Sequence, residues 1–125
     1  MTQIFLSLAA ILGGLSVAAG AFGSHALQEK ISERSLEIFD IGTRYQMYHA
    51  LALLVVALLL SRIESPPLIL LASGWLFIIG ITIFSGSLYA LSLSGVKSLG
   101  AIAPIGGAAL IAGWGALAFA AWSFK

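Results

Sequence analysis

The chain has 125 residues, 60% of them hydrophobic and only 9% charged, with a mean hydropathy of +1.06. A soluble domain carries about 25% charged residues to keep its surface hydrated, so this composition indicates a membrane protein and excludes disordered and collagen-like chains. The absence of cysteine removes disulfides, thiolate metal sites and cysteine nucleophiles, and a net charge of +1 without a basic run gives no electrostatic ground for binding nucleic acid.

Seven of the charges, Glu29, Lys30, Glu33, Arg34, Glu37, Asp40 and Arg44, crowd one stretch, and only Arg62, Glu64, Lys97 and Lys125 lie elsewhere. They punctuate four uncharged runs. Crossing a hydrocarbon core of about 30 Å takes about 20 helical residues, and unpaired backbone groups are not tolerated in lipid. The expected fold is therefore all-α, one domain of four transmembrane helices in a bundle, with approximate spans 3–25, 43–61, 68–92 and 99–123.

In the first span Ser16, Gly20 and Ser24 recur at i+4, a small-residue stripe that reads as helix packing. Ala19-Gly20-Ala21 resembles a secretory cleavage site, but no Lys or Arg precedes the apolar run, so the segment reads as a retained span. Ser32 is an N-cap candidate, and Leu36, Phe39 and Thr43 recur at helical spacing opposite Glu33, Glu37 and Asp40. This pattern predicts a short amphipathic helix over 32–42 lying along the interface, before a second span whose first turns carry Arg44, Tyr45, Gln46, Tyr48 and His49.

Ser65-Pro66-Pro67 predicts a tight turn, because a proline pair cannot continue a helix. In the third span Thr82, Ser85, Tyr89 and Ser92 fall at helical offsets on one face, at the membrane level of His25, Gln46, Tyr48 and His49. The fourth places Gly100, Pro104, Ala108, Ala112, Ala116 and Ala120 at strict i+4 intervals, which predicts a packing face. With four spans, residues 24–44 and 93–99 share one side, and the termini share the other with the proline turn. Lys30, Arg34, Arg44 and Lys97 outnumber Arg62 and Lys125, which assigns the first side to the cytoplasm.

The polar residues His25, Arg44, Gln46, Tyr48, His49, Thr82, Ser85, Tyr89 and Ser92 support three readings. Serine and threonine hydroxyls bond their own helix carbonyls while tyrosine and histidine anchor the interface. Alternatively, the set lines a one-sided vestibule for an anion, a proton or a small polar ligand. In the third reading the two histidines are axial ligands to one haem. No catalytic motif is present and no Asp or Glu sits inside a span, so the expectation is a non-enzyme with no catalytic residues, no metal site and no cofactor.

Four motifs in order carry a family resemblance: Gly20-Ala21-Phe22-Gly23-Ser24-His25-Ala26-Leu27, Arg44-Tyr45-Gln46-Met47-Tyr48-His49-Ala50-Leu51, Phe84-Ser85-Gly86-Ser87-Leu88-Tyr89, and Leu99 through Gly107 followed by Gly113-Trp114. Together they resemble the YgdD/YwdK-like family of small bacterial inner-membrane proteins, a domain of unknown function with vertebrate transmembrane relatives. Ser24 departs from the alanine associated with the family. The resemblance implies a multi-pass protein of the bacterial inner membrane and no activity, substrate or cofactor. The expected role is an accessory or structural component, in contact with the lipid bilayer and packing as a homo-oligomer or in a larger membrane complex. The alternative is a small transporter or ligand-binding module that uses the vestibule.

Overall fold

The computed structural model describes residues 1–124; Lys125, counted above among the charges of the second side, lies outside the described residues. Four long helices follow one another: α1 (Thr2–Leu27), α2 (Glu33–Ser61), α3 (Leu68–Ser94) and α4 (Ala103–Ala121), the last preceded by a 3₁₀ turn at Lys97–Ala101. Four membrane-crossing helices account for the composition, and no strand occurs among the described residues.

Within α1, Ala19–Gly23 forms a single π-helical turn in the segment that resembles a cleavage site. Two glycines in this stretch let α2 approach: a Cβ on Gly20 would lie 3.8 Å from Thr43 Oγ1, and one on Gly23 3.3 Å from the Phe39 ring.

The Ser32 side chain caps α2 as its sequence position suggests, accepting a hydrogen bond from the Ser35 amide at 3.1 Å. The expected separate interfacial helix over 32–42 does not exist as an element. Nothing between Ser32 and Ser61 breaks a helix except Gly42, which keeps helical backbone under the Tyr89 ring, so the amphipathic segment is the first third of one helix of 29 residues. At 1.5 Å per residue that helix is about 43 Å long, more than the roughly 30 Å of a hydrocarbon core. Its first turns therefore extend beyond the core, carrying the ion pairs Arg34–Glu37 (3.1 Å) and Arg44–Asp40. α3 starts directly after the proline pair and ends at Gly95, whose φ of +71° lies in the left-handed region that favours a residue without Cβ.

Each helix packs chiefly on its chain neighbours, with α2 and α3 central and α1 the least covered. Phe5, Leu53, Val56, Leu70, Phe77 and Leu110 form the buried core. Phe5 reaches from α1 onto α3, where its ring occupies the space that a Cβ on Gly74 would take, at 2.2 Å.

α4 corrects the strict i+4 stripe. Ala116 and Ala120 are buried and Gly100 is half-buried ahead of the helix, but Pro104, Ala108 and Ala112 face outward. Four residues turn a helix by about 400°, so each i+4 step drifts about 40°, and five steps carry the row to the opposite face. The buried face mixes steps of three and four: Ala103, Gly106, Leu110, Gly113, Ala116 and Ala120.

Candidate functional site

Of the predicted vestibule residues, Gln46, Ser85 and Tyr89 come together between the helices, and their polar atoms are turned toward neighbouring helices. Gln46, buried on α2, donates from Nε2 to the Leu12 carbonyl of α1 at 2.8 Å and accepts at Oε1 from the Tyr89 hydroxyl of α3 at 2.6 Å. One turn earlier, Ser85 Oγ donates to the Gly42 carbonyl at 2.8 Å and Ser16 Oγ to the Thr43 carbonyl at 2.6 Å. Thr43 Oγ1 in turn donates to the Asp40 carbonyl at 2.8 Å. Helices in lipid gain no hydrophobic energy by touching, so the four bonds between helices fasten α1 and α3 to α2, each contributing about 0.6 kcal/mol and at most about 1.7.

The remaining residues of the predicted vestibule scatter. Thr82 Oγ1 donates to the Ile78 carbonyl (2.8 Å) and Ser92 Oγ to the Tyr89 carbonyl (2.9 Å), the local bonding expected of hydroxyls that only satisfy themselves. Arg44, paired with Asp40, and Tyr48 are exposed, as is His25 near the end of α1. Ser24, the last member of the α1 stripe, shelters its Oγ from solvent with no hydrogen-bond partner among the described residues. Thr82, Ser85, Gln46 and Tyr89 border a groove of about 410 Å³ walled by Leu12, Leu15 and Ile81, open sideways between α1 and α3.

His49 belongs to a different seam. Its ring is buried between Tyr45, Phe77 and Trp114, with Nε2 2.9 Å from Trp114 Nε1 and Nδ1 2.7 Å from the Tyr45 carbonyl oxygen. An indole N–H can only donate, so Nε2 is the acceptor and the proton resides on Nδ1, which donates to the carbonyl. Both nitrogens are thereby committed in the neutral ring. Protonation would set an N–H against the indole N–H, and axial haem ligation would displace Trp114 or break the Tyr45 bond. Neither the haem reading nor a titrating vestibule fits this geometry.

Trp114 is the hydrogen-bond partner of His49 that sequence reasoning missed. The sequence holds only half of the signal: an indole N–H in lipid needs an acceptor, but nothing in the pattern of either helix points it at the His49 ring. Also missed were Gly80 and Gly113, which lie under leucine and aromatic side chains. A Cβ would lie 2.5 Å from Leu110 at Gly80, 2.3 Å from the Phe84 amide nitrogen at Gly106, and 2.8 Å from the Phe77 ring at Gly113.

A bundle of four membrane-crossing helices, joined by side-chain hydrogen bonds to backbone on one seam and by glycine contacts on the other, defines a multi-pass membrane protein. Residues 19–107 match the family described as "Protein of unknown function (DUF423)", and the chain belongs to that family. It is 46% identical to the UPF0382 membrane protein YwdK of Bacillus subtilis, over 90% of each chain. It is 43% identical to a UPF0382 membrane protein of Staphylococcus epidermidis and 38% identical to one of Staphylococcus haemolyticus, over 98% of each chain in both cases. No solved structure matches it. The membership agrees with the resemblance carried by the four motifs. The family description assigns no enzymatic activity.

Proposed function

We propose that the protein is a non-enzymatic packing component of the cell membrane, an accessory or structural subunit that associates through its outer helices with itself or with a larger membrane complex. The observation that carries this reading is that the chemistry-bearing side chains packed between the helices, Gln46, His49 and Tyr89, are spent on the fold. Gln46 and Tyr89 hold α1 and α3 to α2, and both nitrogens of His49 are engaged. Among the exposed residues of α4, Pro104, Ala108 and Ala112 form a row of small side chains beside the outward Ile105 and Ile111, a row that admits close approach of another helix.

The charge asymmetry supports an orientation with residues 24–44 and 93–99 in the cytoplasm. Because the chain lacks cysteine, introduced cysteines report cleanly. Ser32→Cys and Ser98→Cys should react with an impermeant reagent from the cytoplasmic side and Ser65→Cys from the other. The functional test is purification in mild detergent. An accessory subunit co-purifies stoichiometrically or cross-links through Ala112→Cys, and is inert alone in liposomes. Solute flux by the isolated protein, with no adduct at Ala112→Cys, would refute the proposal.

A further inference from the structure

At the end of the bundle that carries the proline turn, Arg62 stands apart from the other two arginines. Arg34 pairs with Glu37 and Arg44 with Asp40, whereas the Arg62 guanidinium has no carboxylate or hydrogen-bond partner among the described residues. It lines a pocket of about 480 Å³ formed where the end of α2, the turn and the end of α4 converge. Two further donors line the same pocket, the hydroxyls of Ser65 and Ser123, and neither is engaged by another described residue. The nearby Ser61, by contrast, spends its hydroxyl on the Leu58 carbonyl at 2.6 Å. Leu59, Ile63 and Phe124 supply apolar walls. The one acidic residue of the turn, Glu64, lines a separate cleft with Met1 and Thr2.

We propose that this pocket seats the phosphodiester of an anionic glycerophospholipid. Its place at the ends of three membrane-crossing helices, beside the fully outward Trp122, is the level at which lipid phosphates lie. A guanidinium fork matches two phosphate oxygens, and the serine hydroxyls donate to the others. The apolar walls receive the glycerol backbone and the first methylenes. A lipid whose headgroup also carries an ammonium finds no carboxylate among the described lining residues, so the site selects phosphatidylglycerol-type lipids over phosphatidylcholine. This occupant does not depend on the proposed accessory role.

The test uses the full chain purified in mild detergent, exposed to mixed vesicles of phosphatidylglycerol and phosphatidylcholine with the same acyl chains, with retained lipid counted by native mass spectrometry. The wild type should retain phosphatidylglycerol about tenfold over phosphatidylcholine, because the two phosphates make the same contact but the choline ammonium is repelled by the Arg62 cation. Arg62→Gln should equalise the two, Arg62→Lys should keep part of the preference, and Ser123→Ala should reduce it. An unchanged melting temperature of Arg62→Gln in phosphatidylcholine shows that the fold is intact; if it falls, Arg62→Lys and Ser123→Ala carry the test. Equal retention by the wild type, or an undiminished preference in all three variants, overturns the proposal. Displacement of the lipid by millimolar inorganic phosphate would identify a site for the free anion and equally overturn it.

Discussion

The two faces of α3 are joined to their neighbours by opposite means. Toward α2 the contact is polar: Ser85 and Tyr89 reach the Gly42 carbonyl and the Gln46 amide. Toward α4 it is close approach, with Gly80 and Gly106 removing side chains so that Leu110 and Phe84 can fill the gap. The difference shows how a chain with few polar groups divides its work. Hydrogen bonds fix the depth and rotation of α1 and α3 on α2, since donor and acceptor must meet. Glycine contacts maximise dispersion but tolerate sliding, and the single bond from Trp114 to His49 supplies the register they lack.

The largest effect expected on this comparison is at Gly106. Its missing Cβ would lie 2.3 Å from a backbone nitrogen, an atom that cannot rotate away, so Gly106→Leu should abolish the α3–α4 seam, at a cost at or beyond the usual 1 to 3 kcal/mol of overpacking. Gly115→Ala, with nothing within 4 Å, should be silent by the same detergent unfolding assay. Near-equal stability of the two would remove the distinction between the seams.

On the polar seam, Gln46→Leu leaves Tyr89 without its acceptor, and the two lost bonds should cost about 1 to 3 kcal/mol. Tyr89→Phe added to it should cost little more, because one bond serves both. Full additivity in unfolding would show that the two side chains act separately.

His49→Phe should cost about 1 to 2 kcal/mol and shift Trp114 fluorescence, since an aromatic ring remains while the indole's acceptor and the bond to the Tyr45 carbonyl are both lost. Restored additivity with Trp114→Phe in a double-mutant cycle would argue against the bond. Ala112→Leu should have the smallest effect, within about 0.5 kcal/mol, because the residue faces outward in the single chain. On the strict i+4 stripe read from the sequence it would have been the more damaging change than Leu117→Ala.

The four spans, the Ser32 cap and the proline turn are legible in the sequence because each follows from local chemistry: uncharged length, a side-chain acceptor ahead of a helix, a missing amide. The meeting of Gln46, Ser85 and Tyr89 is legible as a shared depth and face, but not as a closed network, since depth alone does not say whether donors point at a ligand or at each other. The α4 face failed for a geometric reason, the drift of an i+4 row around a helix with 3.6 residues per turn. The Trp114–His49 bond was hidden because it joins α2 to α4, non-consecutive helices whose rotation no single-helix pattern specifies.

The partition of hydrogen bonds also bears on biogenesis. As the chain enters the membrane, the hairpin of α1 and α2 can close alone through Ser16 and the Gln46 amide. The Gln46 oxygen and His49 Nε2, however, obtain their donors, Tyr89 and Trp114, only from the second hairpin. Until it arrives, two acceptors face a hydrocarbon phase that offers them nothing. A nascent chain arrested after α2 is thus left with two unmet acceptors, which only Tyr89 and Trp114 of the second hairpin satisfy.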